Sequence, residues 1–130
     1  MAERKLRILL GKVGLDGHDR GVRMLSTWLR NSGMEVIYIG THNLPKAVVE
    51  IAIQEDVDVI GLSFQGGEHS VLVQAVFEEM KKAELGDAKL IAGGNIPRQD
   101  IDKLKSSGVD EIFPAGTPMA AITDYLNNLS

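Results

Sequence analysis

The chain has 130 residues, 44% hydrophobic and 25% charged, which is the size and balance of one globular domain. Because it contains no cysteine, disulfides, thiolate metal sites and a cysteine nucleophile are excluded. No apolar stretch approaches the ~20 residues that cross a bilayer, and a net charge of −4 without a basic run argues against nucleic-acid binding. We expect a soluble, cytoplasmic, single domain over residues 1–130.

Five apolar runs alternate with five amphipathic runs along the chain. Strands are predicted at residues 6–11, 35–40, 58–63, 89–93 and 111–113. Helices are predicted at 21–31, from 45 to about 56, at 70–83, from about 97, and after Thr117, which would cap the last helix ahead of Pro118. Strict alternation calls for a parallel sheet with helices on both faces. We therefore expect a flavodoxin-like doubly wound five-stranded sheet of order 2-1-3-4-5, with half of a Rossmann fold as the other option.

The loop after the first predicted strand is unusually long and polar. It covers residues 12–21, whereas such loops typically have ~2–6 residues, and it carries neither a dinucleotide fingerprint nor a P-loop. Within it, His18 stands between Asp16 and Asp19. A metal-bound imidazole commonly donates its other N–H to a carboxylate, so Asp16 and His18 form a candidate ligand pair. The alternative is a solvated surface histidine.

Small residues also follow the third and fourth strands. Ser63 ends one strand and can exchange a hydrogen bond with a ring nitrogen, while Gly93 and Gly94 permit the close approach of a bulky ligand. Helix capping and tight turns are the structural alternatives at these positions. Because ligands of doubly wound sheets bind at the carboxyl ends of the strands, all these loops point to one site.

The motifs resemble those of the cobalamin-binding domain of the base-off, His-on corrinoid enzymes. That family has D-x-H-x-x-G, then about 41 residues, S-x-L, about 26–28 residues and G-G. Here Asp16 to Gly21 matches the first element, 41 residues separate Gly21 from Ser63, and 27 separate Gln65 from Gly93. Residues 12–21 and 52–60 look like the adenosylcobalamin-dependent acyl-CoA mutases, of the methylmalonyl-CoA mutase type. Gln65 departs from the leucine of S-x-L and is similar to a loop of fused isobutyryl-CoA mutases, which leaves the acyl group open.

The resemblance implies roles for individual residues. His18 would be the lower axial ligand of cobalt, with Asp16 and Lys12 behind it, and Ser63 would contact the displaced benzimidazole in a pocket between the first and third strands. The cofactor contacts implied in total are Asp16, Gly17, His18, Asp19, Arg20, Gly21, Ser63, Gln65, Gly66, Gly93, Gly94, Gly116 and Thr117. None of these residues is expected to act as a catalytic acid, base or nucleophile.

The same resemblance implies that the chain works with a partner. In that family the acyl-CoA substrate sits in a (β/α)₈ barrel, which alone takes ~250 residues. We therefore expect a small subunit that carries adenosylcobalamin, is inactive alone, and joins a large barrel subunit in a heterodimer or heterotetramer.

Three other functions compete with this interpretation. A corrinoid methyl carrier would share the D-x-H motif but usually has a helical cap domain in front of it. A response-regulator-like module would need an acidic residue where Ser63 stands. His18, His42 and His69 could together hold zinc, or the last two could simply be polar residues at an interface.

Overall fold

The computed structural model describes residues 5–12, 20–64 and 69–129. Its strands are β1 (Arg7–Gly11), β2 (Glu35–Tyr38), β3 (Val59–Phe64), β4 (Lys89–Gly94) and β5 (Glu111–Pro114). Its helices are α1 (Arg20–Asn31), α2 (Pro45–Gln54), α3 (His69–Lys82), α4 (Arg98–Ser106) and α5 (Met119–Asn127). In the part of the chain so described, no helix has both the length and the apolar character needed to span a membrane.

The five strands form one sheet with the order β2-β1-β3-β4-β5, and every pairing is parallel. The predicted fold class is therefore confirmed. The register sets Ser63 beside Gly93, and Gly93 beside Phe113. Because parallel strands all end at the same edge, these three residues lie in a row across the carboxyl edge of the sheet.

Alternation along each strand divides the core into two layers. In β1, Ile8 and Leu10 face the layer formed with α1 and α5, whereas Leu9 faces the layer formed with α2, α3 and α4. All three side chains are buried, as a strand covered on both faces requires. The helices α1 and α5 therefore share one face of the sheet.

Most predicted elements are confirmed, with ends that differ by one to three residues. In α3 the helically spaced apolar residues Val73, Val76 and Met80 are buried. Trp28 of α1 is only partly buried, because its ring stays 42% exposed while its Nε1 donates to Thr123 Oγ1 at 2.7 Å. This bond joins α1 to α5. Trp28 therefore lies at the edge of the helix face that packs on the sheet, and its indole stays partly exposed to solvent.

Candidate functional site

A cavity of about 280 Å³ opens at the carboxyl edge of the sheet, on the face that carries α1 and α5. Its floor is formed by β3, β4 and β5, and its walls by the first turns of the two helices. The volume is near the lower end of the ~300–1,000 Å³ common for small-molecule sites. The apolar lining side chains include Leu10, Val22, Leu25, Leu62, Ile91, Phe113, Met119 and Ile122.

The cavity brings together most of the predicted site residues that the structure describes. These residues come from α1, β3, β4 and the segment between β5 and α5, so their sequence positions span almost the whole domain. Together they line the cavity, and they are Gly21, Ser63, Gly93, Gly94, Gly116 and Thr117. Arg20, by contrast, is the exposed first residue of α1 and does not line the cavity.

Lys12 lies at the junction of three strand ends and is fully buried. Its Nζ donates to the carbonyl oxygen of Ser63 at 3.1 Å and to Ser63 Oγ at 3.5 Å. Its backbone N–H donates to Gly40 O at 3.0 Å, and its carbonyl accepts from Asn43 Nδ2 at 2.9 Å. Since a buried polar group must be hydrogen-bonded to be tolerated, Lys12 ties the end of β1 to β3 and to the loop after β2.

The neighbouring strands leave little or no room for a side chain at the two glycines of β4. Gly94 has φ +106°, and a Cβ placed on it would overlap the Phe64 carbonyl oxygen. A Cβ on Gly93 would stand 3.0 Å from the Phe113 carbonyl oxygen. The sequence leaves two alternatives open for these glycines, the close approach of a ligand and a tight turn. The structure places both inside β4, where Gly94 has no room for a side chain and Gly93 has little, and both line the cavity.

Thr117 does not cap α5, so that prediction is wrong. The helix begins at Met119, and Pro118 precedes it without a side-chain cap. The Thr117 hydroxyl instead donates to the carbonyl oxygen of Pro114 at 2.6 Å, which closes the turn after β5. This turn brings Thr117 to the wall of the cavity.

The tail pocket expected between the first and third strands stays a prediction. The cavity is lined by Leu10 of β1 and by Gly61, Leu62 and Ser63 of β3, and it extends over β4 and β5. The predicted residues Asp16, Gly17, His18, Asp19, Gln65 and Gly66 lie outside the described residues.

The histidine alternative has no support in the described part. His42 is exposed, has φ 62°, and shares a hydrogen bond between Nδ1 and Thr41 Oγ1 at 2.9 Å. Within residues 5–12, 20–64 and 69–129, no three His, Cys, Asp or Glu residues group closely enough to hold a metal ion. The zinc hypothesis also needs His18, which lies outside these ranges.

The side chain of Phe113 in β5 is part of the cavity lining that the sequence did not indicate, although Gly116 and Thr117 after this strand were expected. Phe113 lines the cavity, and Tyr125 packs edge-on against it with ring centroids 5.5 Å apart. Burial raises the pKa of the Tyr125 hydroxyl, and the carboxylates of Asp110 and Glu111 raise it further. The tyrosine is therefore a neutral support for the cavity wall. The rule that ligands bind at the carboxyl ends of the strands, applied to the last strand, would have pointed to Phe113 and Pro114.

Comparison with known proteins defines the class of this fold and site. The family model described as the B12 binding domain matches residues 6–123. Among solved structures, a cobalamin-binding protein from Desulfitobacterium hafniense superposes with a TM-score of 0.85 at 23% identity, covering 98% of this chain and 60% of that one. A Francisella response regulator receiver domain superposes with a TM-score of 0.75 at 12% identity, covering 96% of each chain. The chain belongs to the B12 binding domain family.

Its relatives within that family include acyl-CoA mutases and their small subunits. The 2-hydroxyisobutanoyl-CoA mutase small subunit of Aquincola tertiaricarbonis is 43% identical, over 99% of this chain and 95% of its own length. The pivalyl-CoA mutase small subunit of Xanthobacter autotrophicus is 39% identical, over 97% of this chain and 84% of that protein. Methylmalonyl-CoA mutase of Escherichia coli is 36% identical, but the chain spans only 18% of it. The chain thus belongs with the small subunits of acyl-CoA mutases.

Proposed function

We propose that this protein is the cobalamin-binding small subunit of an adenosylcobalamin-dependent acyl-CoA mutase. The observation that carries the proposal is the cavity at the carboxyl edge, which gathers the serine and glycine motif residues beside the end of β1. The D-x-H motif follows β1 directly along the chain. The full-length likeness to two mutase small subunits favours this function over a corrinoid methyl carrier.

The described residues fit the nucleotide tail of a cobamide. The cavity is mostly apolar, as a flat aromatic base requires, and Ser63 adds a hydroxyl at its wall. Ser63, Gly93, Gly94, Gly116 and Thr117 would hold the tail.

On the cobalt side, we propose that His18 is the lower axial ligand. Asp16 would accept the other imidazole N–H, fix the tautomer and orient the ring, with Lys12 behind it. When bound, adenosylcobalamin supplies the radical chemistry through homolysis of its cobalt–carbon bond. The residues of this chain bind and orient, and none of them is assigned a proton transfer.

A larger partner subunit completes the proposed enzyme. The two relatives matched over most of their length are named as small subunits, and a (β/α)₈ barrel of ~250 residues cannot be formed by 130. The partner would bind the acyl-CoA and cover the corrin, in a heterodimer or heterotetramer. The cytoplasmic location expected from the sequence stays a prediction.

A titration followed by visible absorption tests the axial ligand. Wild-type protein mixed with hydroxocobalamin or adenosylcobalamin should give the base-off, His-on spectrum. His18→Ala should lose the His-on state, and Asp16→Ala should bind roughly 10–100-fold more weakly, because outer-sphere partners of metal ligands carry about that much affinity. His42→Ala is the matched control, since His42 is exposed and does not line the cavity.

Two results would contradict the proposal. An unchanged His-on spectrum in His18→Ala would remove that residue as the ligand. Absence of cobalamin binding even with a large mutase subunit present would refute the function as a whole. With that subunit added, the acyl-CoA that is rearranged identifies the substrate.

A further inference from the structure

The outward side of α1 combines large apolar side chains with positive charge. Arg20, Met24 and Trp28 follow one another at intervals of one helical turn and therefore form a row along the helix. Met24 is 54% exposed and Trp28 is 42% exposed. Arg23 is also exposed and lies beside this row. These four residues are named the α1 face.

The charge of α1 has one sign. Its 12 residues include Arg20, Arg23 and Arg30 but no aspartate or glutamate, although the whole chain has a net charge of −4. The Arg30 guanidinium donates to the carbonyl oxygen of Val36 at 3.1 Å. Among the residues that the structure describes, neither Arg20 nor Arg23 forms an ion pair. The α1 face therefore offers two cations to a carboxylate on another molecule.

The α1 face is held in a fixed orientation next to the cavity. Other positions of the same helix, Gly21, Val22 and Leu25, line the cavity wall. Trp28 Nε1 donates to Thr123 Oγ1 of α5 at 2.7 Å, which fixes the indole while part of the ring faces solvent. An aromatic side chain that is already ordered loses little conformational entropy when a partner covers it.

We propose that the α1 face docks on an acidic, apolar surface of the large mutase subunit and forms a contact separate from the cofactor. The inference rests on the proposed function and deepens it by naming the surface of this chain that the partner holds. A two-fold contact between copies would bring one positive face against another, and like charges oppose association. Charge complementarity therefore favours a different, acidic chain over a second copy.

A separate subunit has a physical need for such a contact. In the proposed enzyme the corrin would lie between the subunits, so the carboxyl edge would meet the partner largely through the cofactor. A covalent linker keeps a domain near its partner at an effective concentration on the order of millimolar. A small subunit must replace that linker by non-covalent contact, and Trp, Met and Arg are enriched at such interfaces. The α1 face should therefore hold the subunits together even without cobalamin.

Dissociation constants for the purified large subunit, with and without adenosylcobalamin, test the contact. Met24→Glu and Arg23→Glu should each weaken binding roughly 10-fold or more in both states, because exposed apolar and arginine anchors carry much of an interface's affinity. Ile53→Glu and Lys103→Glu make the same changes at exposed positions of α2 and α4, on the other face of the sheet, and should change binding by less than about twofold. Circular dichroism and urea unfolding verify that each variant is folded.

Salt and the single tryptophan provide two further readouts. Added salt should weaken wild-type binding more steeply than it weakens binding of Arg23→Glu, which lacks the attractive charge. Trp28 is the only tryptophan of the chain, so fluorotryptophan incorporated into this chain alone gives one fluorine NMR resonance. That resonance should shift when the unlabelled large subunit is added. An unshifted resonance in a complex that forms overturns the inference.

The outcomes separate the inference from the proposed function. Wild type that binds neither cobalamin nor the large subunit refutes the proposed function. A complex whose affinity is the same in wild type, Met24→Glu and Arg23→Glu leaves the function in place and removes the α1 face as its docking surface. Self-association of wild type that shifts the Trp28 resonance without the large subunit assigns the face to a second copy, which also overturns the inference.

Discussion

Gly94 and Gly116 both line the cavity and both have positive φ, but only one of them has room for a side chain. At Gly116 (φ +91°) an added Cβ meets nothing within 4 Å. Gly116→Ala should therefore lower the free energy of unfolding only through the unfavourable positive φ. That cost is about 1–2 kcal/mol for an L-residue in left-handed backbone. At Gly94 (φ +106°) the Cβ also overlaps the Phe64 carbonyl oxygen, which accepts a 2.7 Å bond from Asn95 N–H. We expect Gly94→Ala to cost at least about 3 kcal/mol, because β3 and β4 must separate.

Urea unfolding followed by circular dichroism measures both free energies on the same scale. At this chain length, 1 kcal/mol corresponds to roughly 3–6 °C in Tm, so the two variants should differ clearly in a thermal melt as well. Gly116→Ala should keep cobalamin binding within a few-fold, whereas Gly94→Ala, even where it stays folded, should weaken binding more because β3 and β4 separate at the cavity. Equal destabilisation of the two variants would refute the reasoning, because it would show that strand packing adds nothing to the backbone cost.

Further expectations concern the helices, the edge of the sheet and the ligand. Trp28→Phe and Thr123→Val should each lower the free energy of unfolding by about 1 kcal/mol, because both remove the same 2.7 Å hydrogen bond. The double variant should therefore cost little more than either single variant. Fully additive costs in urea unfolding would show that the bond contributes nothing. Burial opposes ionisation of Glu111, but hydrogen bonds from Lys105 and the Ile112 N–H outweigh it and lower the pKa of that carboxyl. The ionised Glu111 carboxylate therefore stabilises the fold above pH ~4.3, and this stabilisation is lost as the pH falls through the lowered pKa. Lys105→Met should remove less than about 1 kcal/mol of this stabilisation at neutral pH. If the free energy of unfolding fell with acidification in the variant just as in wild type, the result would contradict this expectation. Cobalamin at 100 times its dissociation constant should raise the free energy of unfolding by about 2.7 kcal/mol, whereas an unshifted melt at that concentration would argue against binding to the native state.

The alternation of elements could be predicted because its signals are local, whereas the sheet order followed only from the topological rules for alternating strands and helices. Apolar runs of strand length and helical spacing such as Val73, Val76 and Met80 are visible within a window of about ten residues. The N-cap at Thr117 could not be predicted correctly by the same means. As an N-cap its oxygen would accept from a backbone N–H of the helix, whereas in the tight turn after β5 the hydroxyl donates to the carbonyl oxygen of Pro114.

The residues of the site that belong to a motif with fixed spacing could be predicted. The contacts that depend on the packing of distant strands could not. Ser63, Gly93 and Gly94 were found through their spacing, and the cavity holds all three. The close approach of Gly93 to Phe113 depends on the register of β4 with β5, which no local pattern encodes. The bond from Lys12 to Ser63 joins residues 51 positions apart and depends on the pairing of β1 with β3.

The likeness to receiver domains shows that this fold does not by itself determine the function. What differs lies at the carboxyl edge, where a response regulator would need an acidic cluster at the ends of β1 and β3. This chain instead carries Ser63 next to the last residue of β3 and buries Lys12 beside it, and in the described ranges no three acidic or histidine residues gather closely enough to hold a metal. Because Ser63 offers a hydroxyl where a receiver domain would need a carboxylate, the shared fold does not bring the receiver's chemistry to this chain.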